Sequence, residues 1–76
     1  MQELLLTFAR ALVREPGRVR VRERREEGRV VLELAVAPAD RGRVIGREGR
    51  TAKALRTVLA AVARRQGGSC ALEIED

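Results

Sequence analysis

The stretch Val44-Ile45-Gly46-Arg47-Glu48-Gly49-Arg50 decides how this chain is read: two glycines three apart, after a β-branched pair and before a helical pattern. A glycine accepts the positive φ of a tight turn between two helices and lets a second backbone approach where a Cβ would stand. The later glycine opens a helix, so the free N–H groups of that helix and the positive end of its dipole face whatever sits over the loop. A phosphate suits such a position. Gly-x-x-Gly alone equally describes a turn between two packed helices, so the surroundings must decide.

Downstream, Ala52, Leu55, Val58, Leu59 and Val62 recur at helical spacing for about four turns, with Arg50, Lys53, Arg56 and Arg64 on the exposed side. Gly67-Gly68 ends that helix. Cys70, Leu72 and Ile74 then alternate with Ala71, Glu73 and Glu75 in a last strand. Upstream, Ala37-Pro38-Ala39 closes a strand whose inward set is Val30, Leu32, Leu34 and Val36, and Asp40 stands where it would cap a short helix ending near Ile45. A cap is a simpler role for Asp40 than a catalytic acid. Glu26-Glu27-Gly28 is the expected hairpin turn before that strand. In the strand preceding it, from Arg18, Val19 and Val21 alternate with Arg18, Arg20, Arg22 and Arg24. The chain opens on an amphipathic helix over residues 2 to 14, with Leu4, Leu5, Phe8, Ala9, Leu12 and Val13 on one side and Phe8 assigned to the core. Pro16-Gly17 stops it.

The string is α-β-β-α-α-β, an α+β fold. The first two strands form an antiparallel hairpin, and a right-handed helical crossover from the second strand to the last sets those two parallel. A three-stranded mixed sheet follows, with residues 29 to 37 central and all helices packed on one face. The arginines at 18, 20 and 22 are then best read as a solvated face with cross-strand partners such as Glu33.

A length of 76 residues allows one small domain, expected to span 1–76. Lys+Arg 16 against Asp+Glu 11 gives a net charge of +5, and the pI near 11.2 favours a polyanionic partner. Lys53 is the only lysine; arginine forks onto phosphate, although a genome or growth-temperature bias would enrich it too. With His 0, Cys 1, Trp 0 and Tyr 0 there is no imidazole base, no zinc quartet and no Cys–His pair, so neither an enzyme nor a cofactor, metal or small-molecule substrate is expected. Cys70 reads as a small buried hydrophobe in a reducing cytoplasm. Leu4-Leu5-Leu6 is too short for a signal peptide or a membrane span, so a cytoplasmic protein with no membrane partner is expected. The phosphate-binding pattern G-x-x-x-x-G-K-[ST] fails because three residues separate Gly42 from Gly46, and the dinucleotide pattern fails because position 44 is valine.

An aliphatic pair, Gly-x-x-Gly and apolar residues on the next helix, as in Val44-Ile45-Gly46-Arg47-Glu48-Gly49 with Ala52 and Leu55, resemble a KH domain of the prokaryotic type II arrangement. The departure is Ala52, where many KH domains carry a larger isoleucine. The resemblance covers the whole chain. Gly42-Arg43-Val44-Ile45-Gly46 running into Gly49-Arg50-Thr51-Ala52-Lys53-Ala54-Leu55-Arg56 is similar to the bacterial single-domain KhpA family. It implies binding of single-stranded RNA, with the glycine loop clamping about four nucleotides of backbone beside an apolar groove. Val44 and Ile45 are the candidates for that groove, at least one of them being core. Gly46 and Gly49 would permit close approach, N–H groups near Arg50 and Thr51 would receive phosphate, and Arg47, Arg50 and Lys53 would add charge. Glu48 offsets Arg47 and is expected to pair with it, so affinity should be modest. The resemblance also implies an RNA chaperone or post-transcriptional regulator in control of cell elongation and division. Its partners would be a second copy or a KhpB/Jag-like KH protein, meeting the last strand or the helix before it. Two alternatives remain: a protein-interaction module with incidental RNA affinity, and a helix-turn-helix that reads duplex DNA.

Overall fold

The computed structural model describes residues 1–75 of the chain. Helix α1, Gln2–Leu12, buries Leu5 and Ala9. It ends two residues earlier than its periodicity predicts, because Val13 is extended and the N–H groups of Arg14 and Glu15 donate to the Asp40 carboxylate, each at 3.1 Å. Arg18, expected in the first strand, lies instead in a 3-10 turn, Pro16–Arg18, whose first position suits a proline with no N–H to give.

Strands β1, Arg20–Glu26, and β2, Arg29–Ala35, form the antiparallel hairpin. Only Glu27 and Gly28 make its turn, with φ of 50° and 81°, the paired positive values of the tight turn that matches strand twist. Glu26 therefore belongs to the ladder, opposite Arg29. Helices α2, Arg41–Ile45, and α3, Arg50–Arg65, follow, and β3, Cys70–Ile74, pairs parallel with β2. The order β1-β2-β3 with β2 central is the expected mixed sheet of an α-β-β-α-α-β fold. At the end of α3 the N–H of Gly67 bonds the Arg64 carbonyl at 3.0 Å and that of Gly68 bonds Ala63 at 2.9 Å, the two bonds of a Schellman ending.

The core lies between one face of the sheet and the helices: Val30, Leu32, Leu34 and Leu72 meet Leu5, Ala9, Val44, Leu55 and Leu59. On the other face Val31 is also buried, with Arg24 as its cross-strand neighbour. Arg24 extends across β2 to bond Glu33 and, at 3.2 Å, Glu73, so its stem covers Val31 while its charge stays wet. Hydrogen bonds to Glu73 and then to Glu26 hold this guanidinium above its ordinary pKa.

Two expectations need correction. Phe8 is not core: it is 40% exposed, because Leu5 and Ala9 turn inward and Phe8 sits 100° around the helix from Ala9. With Leu12, Ala54, Leu55 and Val58 it lines an apolar groove of about 260 Å³ between α1 and α3. Asp40 does not cap its own helix through its side chain. Buried to 2% exposure, it fastens the end of α1 to the start of α2 and lies 3.6 Å from Arg43 Nε.

Replacing Asp40 with Ala strands two part-buried N–H groups, and the expected loss is about 2–4 kcal/mol of unfolding free energy. Asn keeps one acceptor and should lose about half as much. Urea titration of both variants checks this; a loss below about 0.5 kcal/mol for the Ala variant would show that the tie carries no stability.

Candidate functional site

Three of the four residues in the loop between α2 and α3 have positive φ: Gly46 at 79°, Glu48 at 58° and Gly49 at 76°. The two glycines answer different demands. A Cβ on Gly46 would stand 2.3 Å from Thr51 Oγ1 and 2.8 Å from Thr51 N, so the space that this glycine leaves is filled by the chain's own helix start. A Cβ on Gly49 would meet nothing within 4 Å, and only its backbone angle calls for glycine.

The loop closes on itself. The N–H of Gly46 bonds Gly42 at 2.9 Å, that of Gly49 bonds Gly46 at 3.0 Å, and that of Arg50 bonds the Arg47 carbonyl. Hence the Arg50 amide, expected to receive a phosphate, is already bonded, and Thr51 N lies beneath Gly46. Arg47, Arg50 and Lys53 are exposed. Glu48 pairs with Arg50 at 3.1 Å rather than with Arg47, since its left-handed backbone swings it toward the helix side; both members of the pair are largely exposed.

The aliphatic pair divides. Val44 is wholly buried, so it is the member of the pair that belongs to the core, where at least one of the two was expected. Ile45 is 40% exposed and is the member that a ligand can touch.

Charge is segregated along the chain. Residues 41–65 hold eight basic side chains and one acidic one, whereas the remainder holds eight basic and ten acidic. Six of those eight follow the first loop glycine, from Arg47 to Arg65. Three of the four arginines of β1, Arg20, Arg24 and Arg25, by contrast have internal partners. Arg24 meets Glu26, Glu33 and Glu73, and Arg20 Nη1 donates to the carbonyls of Gly17 and Val19 at 2.8 and 2.9 Å. That face is solvated as its alternation predicts, but its cross-strand pairing runs through Arg24 rather than through the arginines at 18, 20 and 22.

Sequence reasoning placed Arg56 on the wet side of α3 without a role. Its Nε and Nη2 both donate to the Leu72 carbonyl on β3 at 3.4 Å, so it bridges helix and strand. The spacing Lys53, Arg56 was the available signal, but the strand it reaches is remote in sequence. Cys70 is half-buried, and burial pushes its thiol pKa up. Among the described residues no cluster of three or more His, Cys, Asp or Glu could hold a metal ion, and no helix is long and apolar enough to cross a membrane.

A family model described as KhpA/KhpB, KH domain, matches residues 2–74. The chain is 47% identical over 74 residues to the RNA-binding protein KhpA of Clostridium acetobutylicum, covering 97% of this chain and 99% of that one. Against the RNA-binding protein KhpA of Treponema pallidum the identity is 49% over 75 residues, with 99% and 94% covered. For the protein of that name from Aquifex aeolicus it is 45% over 74 residues, with 97% and 94% covered. No solved structure shows a significant match.

The unequal demands on the glycines predict unequal costs. Gly49→Ala pays only for a left-handed alanine, about 1–2 kcal/mol. Gly46→Ala adds a clash with Thr51 and should be less stable again by at least about 1 kcal/mol. Thr51→Gly in the Gly46→Ala background should recover part of that difference in urea titrations; no recovery would place the obstacle at the Thr51 backbone nitrogen rather than at its side chain.

Proposed function

The chain belongs to the KhpA/KhpB family of KH domains, and on that footing we propose that it binds single-stranded RNA. In this proposal the sugar-phosphate backbone runs over Gly46-Arg47-Glu48-Gly49, Arg47, Arg50 and Lys53 supply charge, and Ile45 offers apolar contact to a base. The observation that carries it is the segregation of charge: the chain's entire positive excess lies in the segment that contains the loop, while the rest is slightly acidic. An anion drawn to this surface arrives at the loop and at α3 rather than at the sheet. The Glu48–Arg50 pair competes with phosphate for Arg50, which keeps affinity modest.

The domain is proposed to span residues 1–76 and to serve as an RNA chaperone or post-transcriptional regulator. Its proposed partner is a KhpB/Jag-like KH protein or a second copy, acting in control of cell elongation and division in the cytoplasm. A second reading, in which partner binding is the main function and RNA affinity incidental, is favoured by one observation. Phe8, Leu12 and Val58 are each between 36% and 40% exposed around the groove between α1 and α3. A helix-turn-helix has less support, because α2 spans five residues and the reading leaves the three-stranded sheet without a role.

Arg47→Asp sets two acids side by side in the exposed loop. It should weaken binding of a short single-stranded RNA by about tenfold or more, the worth of one charge-assisted contact, with little change in melting temperature. Val58→Asp, on the other flank of α3, should leave that affinity unchanged. If Arg47→Asp leaves that affinity unchanged, the loop is not the clamp.

Phosphate neutralisation by three or four contacts predicts that log K falls with log salt at a slope of roughly −2 to −3. Fluorescence anisotropy across a salt series measures it. A slope near zero contradicts the clamp, and one steeper than about −5 requires a footprint longer than this loop and helix offer.

A further inference from the structure

The chain's only aromatic side chain, Phe8, lines the groove with Val58 on one flank of α3. Arg56 is two residues from Val58, about 200° around the helix axis, and so projects from the other flank, toward β3. A base lying between α3 and β3 therefore has no aromatic ring to stack on. What it would meet is the guanidinium of Arg56. That group lies against the free edge of the sheet, because β3 is an edge strand whose odd-numbered residues face β2. Val30 N–H bonds Ser69 and Glu75 N–H bonds Leu34, which leaves the Leu72 carbonyl directed outward.

Arg56 is also loosely held. Arg24 is fixed by three carboxylates and Arg50 by Glu48, whereas Arg56 has only the Leu72 carbonyl, approached by two N–H groups at 3.4 Å, near the limit of a hydrogen bond. No carboxylate pairs with it among the described residues. Along α3 it stands about 9 Å beyond Arg50, on the path of a strand that starts at the loop and follows the helix.

We infer that Arg56 is a base-contacting, specificity-determining residue of this interface: its planar guanidinium leaves the Leu72 carbonyl, stacks on a nucleobase and frees that carbonyl to accept a hydrogen bond from the base. The inference rests on the RNA-binding reading above and adds to it a base contact that loop and charge do not supply. Arginine suits this role through its flat, weakly hydrated face and forked donors, where lysine offers only a point charge.

Arg56→Lys keeps the charge and removes the plane. Binding of an eight-nucleotide oligoadenylate is compared with that of a phosphodiester oligomer of equal length whose sugars carry no bases, for the wild-type protein, Arg56→Lys and Arg47→Asp. The wild type should prefer the base-bearing oligomer, and Arg56→Lys should lose about fivefold or more of that preference while binding the abasic oligomer as the wild type does. Arg47→Asp should weaken both oligomers together. An unchanged preference in Arg56→Lys overturns the inference, and so does an equal loss on both oligomers, which would mark Arg56 as one more phosphate contact. Failure of the wild type to bind either oligomer overturns the RNA-binding reading itself.

Discussion

Thr51 lies against Gly46 so closely that no side chain fits between them, and the geometry of the candidate interface follows from that contact. It allows α2 to end and α3 to begin within four residues, and it requires the left-handed backbone at Gly46, Glu48 and Gly49. A helix that starts from a fixed point also runs in a fixed direction. Leu55 and Leu59 of α3 are buried in the core, and the flank bearing Arg56 comes to the open edge of β3. The N–H groups of Gly46, Gly49 and Arg50 are taken up by hydrogen bonds in the loop, and the side chains of Arg47, Glu48 and Arg50 are exposed.

The two faces of the domain handle arginine differently. On the sheet Arg24 reaches from β1 across β2 to β3 and gathers Glu33 and Glu73, so glutamates offset much of the arginine charge there. Between α2 and the end of α3 a single carboxylate, Glu48, stands among eight basic groups. A polyanion senses this difference before any specific contact forms, since steering depends on net local charge rather than on the number of arginines. The apolar groove beside Phe8 lies on the α1 side of α3 and reaches Thr51 at the foot of the loop.

Much of this was legible in the amino-acid order. The change of period from helical to two and back, with Pro16-Gly17, Glu27-Gly28 and Gly67-Gly68 as punctuation, yields the element order and the mixed sheet. Alternation marks the sheet's outer face as charged and solvated, but the arginine that reaches Glu33 is Arg24, not one of those at 18, 20 and 22. What escaped depends on distance in sequence or on the angle at which a helix docks. Asp40 bonds N–H groups 25 and 26 residues away, and no local pattern distinguishes that from a cap. Phe8 belongs to an apolar stripe wide enough to rotate either way, and burial of Leu5 and Ala9 decided against it. The occupant of the space at Gly46 and the strand reached by Arg56 are likewise facts of three-dimensional packing. The spacing of the glycines announces a close approach without naming what approaches.

The most direct test of the central claim is a residue-by-residue map of amide chemical-shift changes as a short single-stranded RNA is titrated into the protein. The account predicts the largest changes from Ile45 to Lys53, extending along α3 to Arg56 and across to Leu72, with little at Phe8, Leu12 and Val58 or on the arginines of β1. Changes centred on Phe8, Leu12 and Val58, or on Arg20 and Arg22, with a silent loop, would contradict it.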